Sequence, residues 1–335
     1  MKKIFIYSLS TLSLLGLGLS AQEVHITIPK IPDVPKVVVE KELLTTKEKK
    51  PNLQKEQSVQ FSHKVAPHLQ KKQEQQTAKK RAVGDVVNGR VAAYLEMPAM
   101  DQASIKKAID LAGFNIKAIV KLDDKGEIFA YVITNPTLIK LASKPNRGFA
   151  ATLRITVDKK NNLISITNPK YRLKAFLQDD YDSKAADELL SSLREGFKNL
   201  KNSSEMIKFS AVSNFVFMKG MPGYQNMESL AKGDNARLLN KARASKRIVF
   251  EQKLQNGSIL IGVSLSKETS SFIEKTGYSH AALLPYPLLI ENGEAKTLDP
   301  KYYIAVMYPK LKMSQFMQIA ATPDIIDKEL DLLFR

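Results

Sequence analysis

The chain has 335 residues, of which 44% are hydrophobic, and it carries a formal net charge of +17. This length suits two domains, and the apolar content can supply their cores. The chain has no cysteine, which excludes disulfide bonds, thiolate metal sites and a cysteine nucleophile.

Residues 1–21 predict a signal peptide for export. Two lysines precede an apolar run from Ile4 to Leu19, and Ser20-Ala21 then offers a small-residue cleavage site. We therefore expect a periplasmic protein whose mature chain begins near Gln22. The alternative is an uncleaved membrane anchor, although the apolar run is short for a spanning helix. No later segment approaches the ~20 apolar residues that a membrane span requires.

Residues 22–87 predict a disordered, basic tail. The stretch is rich in proline, lysine and glutamine, and such a composition buries too little apolar surface to offset the entropy of ordering the chain. The tail is then either a passive spacer or, through basic runs such as Lys79-Lys80-Arg81, a contact for anionic envelope surfaces.

A first folded unit is expected over residues 88–203. Asp101 is a suitable cap for a helix whose Ile105, Ala108 and Ile109 fall on one face. The elements predicted in this unit are, in order, a strand at 89–95, the helix after Asp101, strands at 114–122, 127–134, 150–157 and 163–167, and a long helix with an apolar stripe from Ala186 to Leu200.

Residues 209–335 predict a second unit with the same order of elements. Two Asn-Gly pairs, at 256–257 and 292–293, are strong hairpin signals. The predicted elements are a strand at 213–218, a helical region at 226–246 interrupted near Gly233, strands at 247–254, 258–265, 281–290 and 295–298, and a closing helix that begins at Thr322-Pro323. The pattern predicts an α+β protein with two tandem β-α-β-β-β-β-α units, produced by internal duplication.

The two units share the motif Pro-Lys-Tyr, at Asn168–Tyr171 and at Asp299–Tyr302. A proline suits the point where a strand ends, and the preceding amide or carboxylate can tighten the bend. Tyr171 and Tyr302 are therefore expected at equivalent places, mainly as packing residues, with a shared ligand surface as the alternative. Arg154 and His280 complete the set of candidate ligand contacts.

Three stretches of the first unit carry a family resemblance: "AIDLAGFNIKAIVKLDDKG", "NPTLIKLASKPNRGFAATLRITV" and "ITNP". Through them, residues 91–200 resemble the bacterial family called domain of unknown function 302, and the second unit is similar more distantly. The resemblance implies a TATA-box-binding-protein-like fold, a curved antiparallel sheet packed by helices, and no established reaction. Where the family often carries a Leu-Pro-Cys-like segment, this chain has Ala151-Thr152-Leu153 and Leu284-Pro285-Tyr286, so a thiol-dependent property is excluded.

Catalytic and metal-binding patterns are sparse. His280 is the one histidine outside the signal peptide and tail, and its neighbour Ser279 would point to the opposite face of a strand, so a surface or satisfied histidine is expected. The acidic stretch Asp179–Asp182 is expected to cap a helix, with a calcium site as the alternative. We therefore expect no catalytic residue, no cofactor and no metal.

Basic and methionine-rich stretches offer further surfaces. Five cations crowd one helical region, and they form either a solvated face or a patch for an anionic partner: Arg237, Lys241, Arg243, Lys246 and Arg247. A nucleic-acid partner is not expected, since the chain has an export signal and no tryptophan. Met307, Met313 and Met317 are expected to fill the core, with an adaptable apolar groove as the alternative.

Together these features favour a non-catalytic periplasmic protein that binds an apolar or anionic small molecule or an envelope partner. One alternative is a carboxylate-dependent enzyme that acts on envelope glycans, which needs two carboxylates about 5 to 10 Å apart in an open cleft. A second alternative is an envelope scaffold attached through its basic tail.

Overall fold

The fold is α+β, as predicted, with two large antiparallel sheets, a two-stranded sheet and their helices. A computed structural model describes residues 83–335. The signal peptide and nearly all of the tail lie outside these residues, so both stay predictions. None of the helices within 83–335 has the length and apolar character that crossing a membrane requires.

The first half, residues 83–202, contains a six-stranded sheet. Its elements are β1 (Arg90–Ala92), β2 (Tyr94–Met97), α1 (Gln102–Leu111), β3 (Asn115–Lys121), β4 (Ile128–Thr134), α2 (Pro136–Ala142), β5 (Leu153–Asp158), β6 (Leu163–Thr167), α3 (Pro169–Leu177), α4 (Ser183–Gly196) and β7 (Lys201–Asn202). The strand order is β3-β4-β5-β6-β2-β7. A 3-10 segment, Gly148–Ala151, precedes β5.

The second half, residues 227–335, follows a linker, residues 203–226, whose strand β8 (Met206–Lys208) pairs with β1. Its elements are β9 (Met227–Lys232), α5 (Asn235–Ala244), β10 (Ile248–Lys253), β11 (Ile259–Val263), α6 (Lys267–Ser270), α7 (Phe272–Thr276), β12 (Tyr286–Glu291), β13 (Glu294–Leu298), α8 (Pro300–Met307), α9 (Met313–Gln318) and α10 (Thr322–Asp331). A 3-10 segment, Tyr278–Leu283, precedes β12.

The two sheets have the same topology. The order β10-β11-β12-β13-β9 in the second half repeats the order β3-β4-β5-β6-β2 in the first. In the first half α1 follows β2, the 3-10 segment precedes β5, and α3 begins directly after β6. In the second half α5 follows β9, the 3-10 segment precedes β12, and α8 begins directly after β13. Descent of both halves from one copied unit stays a prediction.

One predicted strand is wrong. Residues 213–218 lie in turns and coil of the linker, and the first strand of the second half is β9. The linker residues do alternate between half-buried and exposed side chains, as a strand would, but the place beside β13 is occupied by β9. The helical region predicted at 226–246 is wrong in its first part, because residues 227–232 form β9. The helix α5 begins only after Asp234, past the interruption expected near Gly233.

The repeated Pro-Lys-Tyr motif begins a helix in each half, where a bend at a strand end was predicted. The side chain of Asn168 accepts a hydrogen bond from the Lys170 amide at 3.0 Å, and that of Asp299 accepts one from the Lys301 amide at 2.7 Å. Proline follows each cap in the first turn, where its missing N–H leaves no hydrogen bond unmade. The long helix predicted with its stripe from Ala186 to Leu200 corresponds to α4, which ends at Gly196, and α3 is a helix that was not predicted.

Each half covers an open face of the other half's sheet. One face of the first sheet is rich in hydroxyls and yet buried; it carries Thr134, Thr152, Arg154, Thr156, Ser165 and Thr167. The segment Tyr278–Leu283 of the second half lies over β4, β5 and β6, and the Ala282 amide donates to the Thr156 hydroxyl at 3.0 Å. In return, Gly148–Ala151 lies over β11 and β12.

Candidate functional site

The four candidate ligand residues all lie between the two halves. Tyr171 is on α3, Tyr302 on α8, Arg154 on β5 and His280 in the 3-10 segment Tyr278–Leu283. None is more than 7% exposed. The structure therefore brings the four residues to one interface, but it seals them from solvent.

The two tyrosines make reciprocal contacts across this interface. The Tyr171 hydroxyl donates to the Val306 carbonyl at 2.7 Å, and the Tyr302 hydroxyl donates to the Ala175 carbonyl at 3.4 Å. Each acceptor is the residue four positions after the other tyrosine. Burial raises the pKa of both phenols. Beside Tyr171 only about 10 Å³ is open, which is room for about one water molecule and no ligand.

Arg154 is a buried cation that lacks a carboxylate partner among residues 83–335. One guanidinium nitrogen donates to the Pro285 carbonyl at 3.2 Å, and the group lies 5.5 Å from the centre of the Phe250 ring. Its Nε and Nη2 have no hydrogen-bond partner within the described residues. Burial lowers the pKa of Arg154 to about 10, so the group is charged at neutral pH and its charge is poorly compensated.

Sequence reasoning missed a second buried cation, Arg172, which follows Tyr171. Its Nε donates to the Thr152 carbonyl at 2.6 Å and its Nη2 to the Phe149 carbonyl at 3.3 Å. The matching residue of the second half is Tyr303, whose hydroxyl donates to the Leu283 carbonyl at 3.0 Å. The signal was present in the sequence, since both residues directly follow the repeated Pro-Lys-Tyr motif.

His280 lies in a 3-10 segment, so the expectation that it and Ser279 point to opposite faces of a strand is wrong. The Ser279 Oγ is 2.6 Å from His280 Nδ1, and His280 Nε2 is 3.5 Å from a carboxylate oxygen of Glu205 in the linker. The imidazole also contacts the rings of Tyr94 and Tyr308, with centroids 4.4 Å and 4.8 Å away. His280 thus ties the second half to both the first half and the linker.

The carboxyl of Glu205 is held in its charged form. Burial raises its pKa, but the facing His280 and the Ser203 hydroxyl outweigh that effect and bring the pKa down to about 2. A hydroxyl, an imidazole and a carboxylate in series are the components of a hydrolase triad. Ser279 lines none of the clefts described below, so none of these clefts would bring a substrate to its hydroxyl.

The acidic stretch Asp179–Asp182 performs structural work. Asp182 caps α4 and accepts from the Ala185 amide at 3.0 Å. Asp180 pairs with Lys144 and Arg147, each at 2.9 Å, and these contacts lower its pKa. Within residues 83–335, no group of three or more histidine, aspartate and glutamate side chains is arranged to hold a metal ion.

Two of the five cations in the predicted patch, Arg243 and Arg247, pair with carboxylates. Arg243 makes a two-pronged contact with Glu251, at 2.7 and 2.6 Å. Arg247 pairs with Glu329, and Lys241 donates to the backbone carbonyl of Phe334. An open groove of about 450 Å³ lies beside Arg243 along β10. Arg237 and Lys246 are exposed.

An open cleft of about 250 Å³ lies at the boundary between the halves. Sequence reasoning did not find it, because its residues are far apart in the chain. It is lined by Asn146 and Arg147 from the first half, Tyr224 and Gln225 from the linker, and Met227, Ser229, Glu294 and Lys296 from the second half.

Two cations from different halves reach this cleft. Lys296 Nζ lies 2.9 Å from a carboxylate oxygen of the buried Glu291 and also donates to the side chain of Asn146. Arg147 uses its Nε for Asp180, and its guanidinium lies 5.7 Å from the centre of the Tyr224 ring. Its terminal amino groups remain as donors beside the cleft, since the contact to Asp180 uses only Nε.

Glu291 fixes the loop that carries Arg147. Its carboxylate accepts from the Asn146 amide at 3.0 Å and from the Ser258 hydroxyl at 3.1 Å. Asn146 has a positive φ of 61°, and the matching residue of the second half is Gly277, with a φ of 97°. Asparagine tolerates this left-handed conformation better than most residues, so the loop and its arginine are held in a defined position.

Comparison of the chain with protein-family models, with curated proteins and with solved structures gives no match in any of the three. The resemblance to domain of unknown function 302 therefore stays a prediction.

Proposed function

We propose that this is a non-catalytic binding protein of the bacterial envelope that holds a small anionic molecule in the cleft beside Arg147 and Lys296. One observation carries the proposal: a guanidinium and an ammonium group from different halves meet at one open cleft, and each keeps donors beyond its own carboxylate partner, Asp180 for Arg147 and Glu291 for Lys296. The four residues first considered as ligand contacts are sealed in the interface, where their contacts hold the halves together.

The cleft favours a compact ligand with more than one polar group. A volume of about 250 Å³ is below the ~300–1,000 Å³ of sites for drug-sized molecules. Guanidinium donors match carboxylate and phosphate oxygens in geometry and charge. Glu294 and the Ser229 hydroxyl can pair with a hydroxyl or ammonium group of the same ligand. We therefore favour small hydroxy acids, amino acids and phosphate esters.

Location and origin belong to the same proposal. The N-terminal lysines, apolar run and small-residue site support export to the periplasm. The equal strand order of the two sheets and the reciprocal tyrosine contacts support duplication of a unit like domain of unknown function 302.

The two alternative functions have less support. A glycan-cleaving enzyme needs two carboxylates in an open cleft. In the acidic stretch Asp179–Asp182, Asp180 is ion-paired and Asp182 caps a helix. The scaffold alternative rests on the tail, which lies outside the described residues. It stays a prediction, and sedimentation of the protein with membranes, before and after deletion of residues 29–84, is its test.

The test is a screen of small hydroxy acids, amino acids and phosphate esters by thermal shift, followed by calorimetry on any molecule that raises the melting temperature. Arg147→Gln should weaken binding about tenfold or more, since a hydrogen bond to a charged group contributes about 1.5–3 kcal/mol. The matched control is Arg237→Gln, an exposed arginine outside the cleft. A screen without any binder, or equal affinities for both variants, would refute the proposal.

A further inference from the structure

The linker and α9 together expose a methionine surface, formed by Val216, Met218, Met313 and Met317. These side chains are 43%, 45%, 47% and 64% exposed. Single exposed apolar residues are ordinary on a protein surface, whereas a group of them marks an interaction site. The expectation that Met313 and Met317 fill the core is therefore wrong, while Met307 is buried as expected.

A ring contact joins the two segments of the methionine surface. Phe217 of the linker packs on Phe316 of α9, with ring centroids 4.9 Å apart. Met313 and Met317 are four residues apart on α9 and so share one face with Phe316. None of the residues of α9 is buried. Phe316 packs against the core, but the exposed Met313 and Met317 leave much of the apolar face of α9 open to solvent.

The two chain segments that form the methionine surface carry charge of one sign, although α7, which packs against α9, carries the exposed Glu274. Residues 206–227 and residues 300–323 contain no aspartate or glutamate. Lys219 follows Met218 directly, and Lys312 precedes Met313; both lysines are exposed, and neither forms an ion pair within residues 83–335. The surface therefore presents apolar side chains beside uncompensated positive charges.

We infer that the methionine surface docks on an anionic phospholipid bilayer. Apolar side chains that enter the headgroup region, flanked by lysines that contact anionic lipids, form the usual interfacial contact. Lysine stems can lie along the apolar layer while the ammonium group stays in water. Methionine is unbranched and flexible, so it adapts to fluid acyl chains. A second copy of this chain would bring like charges together, which disfavours self-association through this surface.

The chain has no tryptophan, so a single introduced indole reports on one position. In the otherwise intact protein, Met317→Trp should shift its emission to shorter wavelength on vesicles that contain phosphatidylglycerol, but not on phosphatidylcholine alone. Leu111→Trp, at an equally exposed position on α1, should show no shift on either. No shift at position 317, or an equal shift at both positions, would overturn the inference.

A second experiment separates the methionine surface from the basic tail, which is present in every variant. Lys219→Gln with Lys312→Gln should weaken co-sedimentation with anionic vesicles about fivefold per lysine. Lys106→Gln with Lys107→Gln, on the exposed side of α1, is the matched control and should leave binding unchanged. If both pairs bind like the unmodified protein, the two lysines of the methionine surface do not contact lipid and the inference is wrong. The inference does not depend on the anion cleft.

Discussion

Tyr171 donates a 2.7 Å hydrogen bond to the carbonyl of Val306, across the interface between the two halves. The acceptor lies in the last turn of α8, so the bond satisfies a carbonyl that has no partner in its own helix. Tyr302 makes the equivalent bond in the opposite direction, at 3.4 Å. The two halves are thus joined by a pair of contacts with unequal lengths.

Removal of the Tyr171 hydroxyl should destabilise the protein more than removal of the Tyr302 hydroxyl. Tyr171→Phe leaves a buried carbonyl without its donor, at about 1–3 kcal/mol, whereas the 3.4 Å contact of Tyr302 is already long. Urea unfolding, followed by circular dichroism, measures both variants under one condition. Equal losses would show that the two contacts are equivalent despite their lengths.

The two buried arginines should respond to replacement with opposite signs. Arg154→Met removes a buried charge with two unpartnered nitrogens at the cost of one long hydrogen bond to the Pro285 carbonyl, and we expect a net increase in unfolding free energy of about 1–3 kcal/mol. Arg172→Met leaves the Thr152 and Phe149 carbonyls without donors, and we expect a loss of about 1–3 kcal/mol. The measurement is again the unfolding free energy. A loss for Arg154→Met would contradict the assignment of Arg154 as a poorly compensated charge.

Gly148 should tolerate no side chain, because a Cβ atom there would lie 2.3 Å from Leu289 Cδ1. Leu289 is fully buried and cannot move aside, so Gly148→Ala should cost about 1–3 kcal/mol through overpacking. Leu289→Ala removes the obstacle, although it opens a cavity of its own. In the double variant the loss should therefore be smaller than the sum of the two single losses. Additive losses would mean that the two residues do not touch across the interface.

Asp327 should make stability depend on pH near neutrality. Burial, with Asp299, Glu228 and Asp324 nearby, raises its pKa to about 7, against about 3.9 in an unfolded chain. The folded state then keeps a proton that the unfolded state loses, so stability falls as the pH rises from about 4 to about 7.

Asp327→Asn tests this dependence. The variant should gain stability at pH 8 and change little at pH 4, because there the folded carboxyl is neutral and the unfolded one, with a pKa of about 3.9, is still about half protonated. Urea unfolding at pH 4, 6 and 8 is the measurement, and Asp110→Asn, at an exposed position on α1, is the control. A gain that is the same at every pH would exclude titration of Asp327 as the cause.

The sequence correctly predicted elements that depend on local signals, such as a helix cap or an alternating apolar pattern. Asp101 caps α1 through the Ser104 amide, and the strand predicted at 163–167 has the bounds of β6. The first strand of the second half could not be placed from its pattern. Residues 213–218 alternate as a strand does, and only the sheet decides that β9 pairs with β13.

The candidate site was harder to predict, because it depends on contacts between residues that are far apart in the chain. Tyr171, Tyr302, Arg154 and His280 do meet at one interface, but their sequence neighbours do not show that the interface is closed. The open cleft joins residues as distant as Arg147 and Lys296. No local period or motif connects such positions, so the cleft could be found only from the fold.

The exchange of 3-10 segments has a consequence for how the protein can be divided. Residues 83–335 lie within one compact unit, although they contain two large sheets and a third, two-stranded one. A fragment that stops at residue 202 would leave Thr156, Ser165 and the Arg154 guanidinium open to water on one side of its sheet, and the complementary fragment would expose an apolar side instead. The linker is thus a poor site for truncation. We expect the two pieces to fold only when they are produced together, because each covers a sheet face of the other.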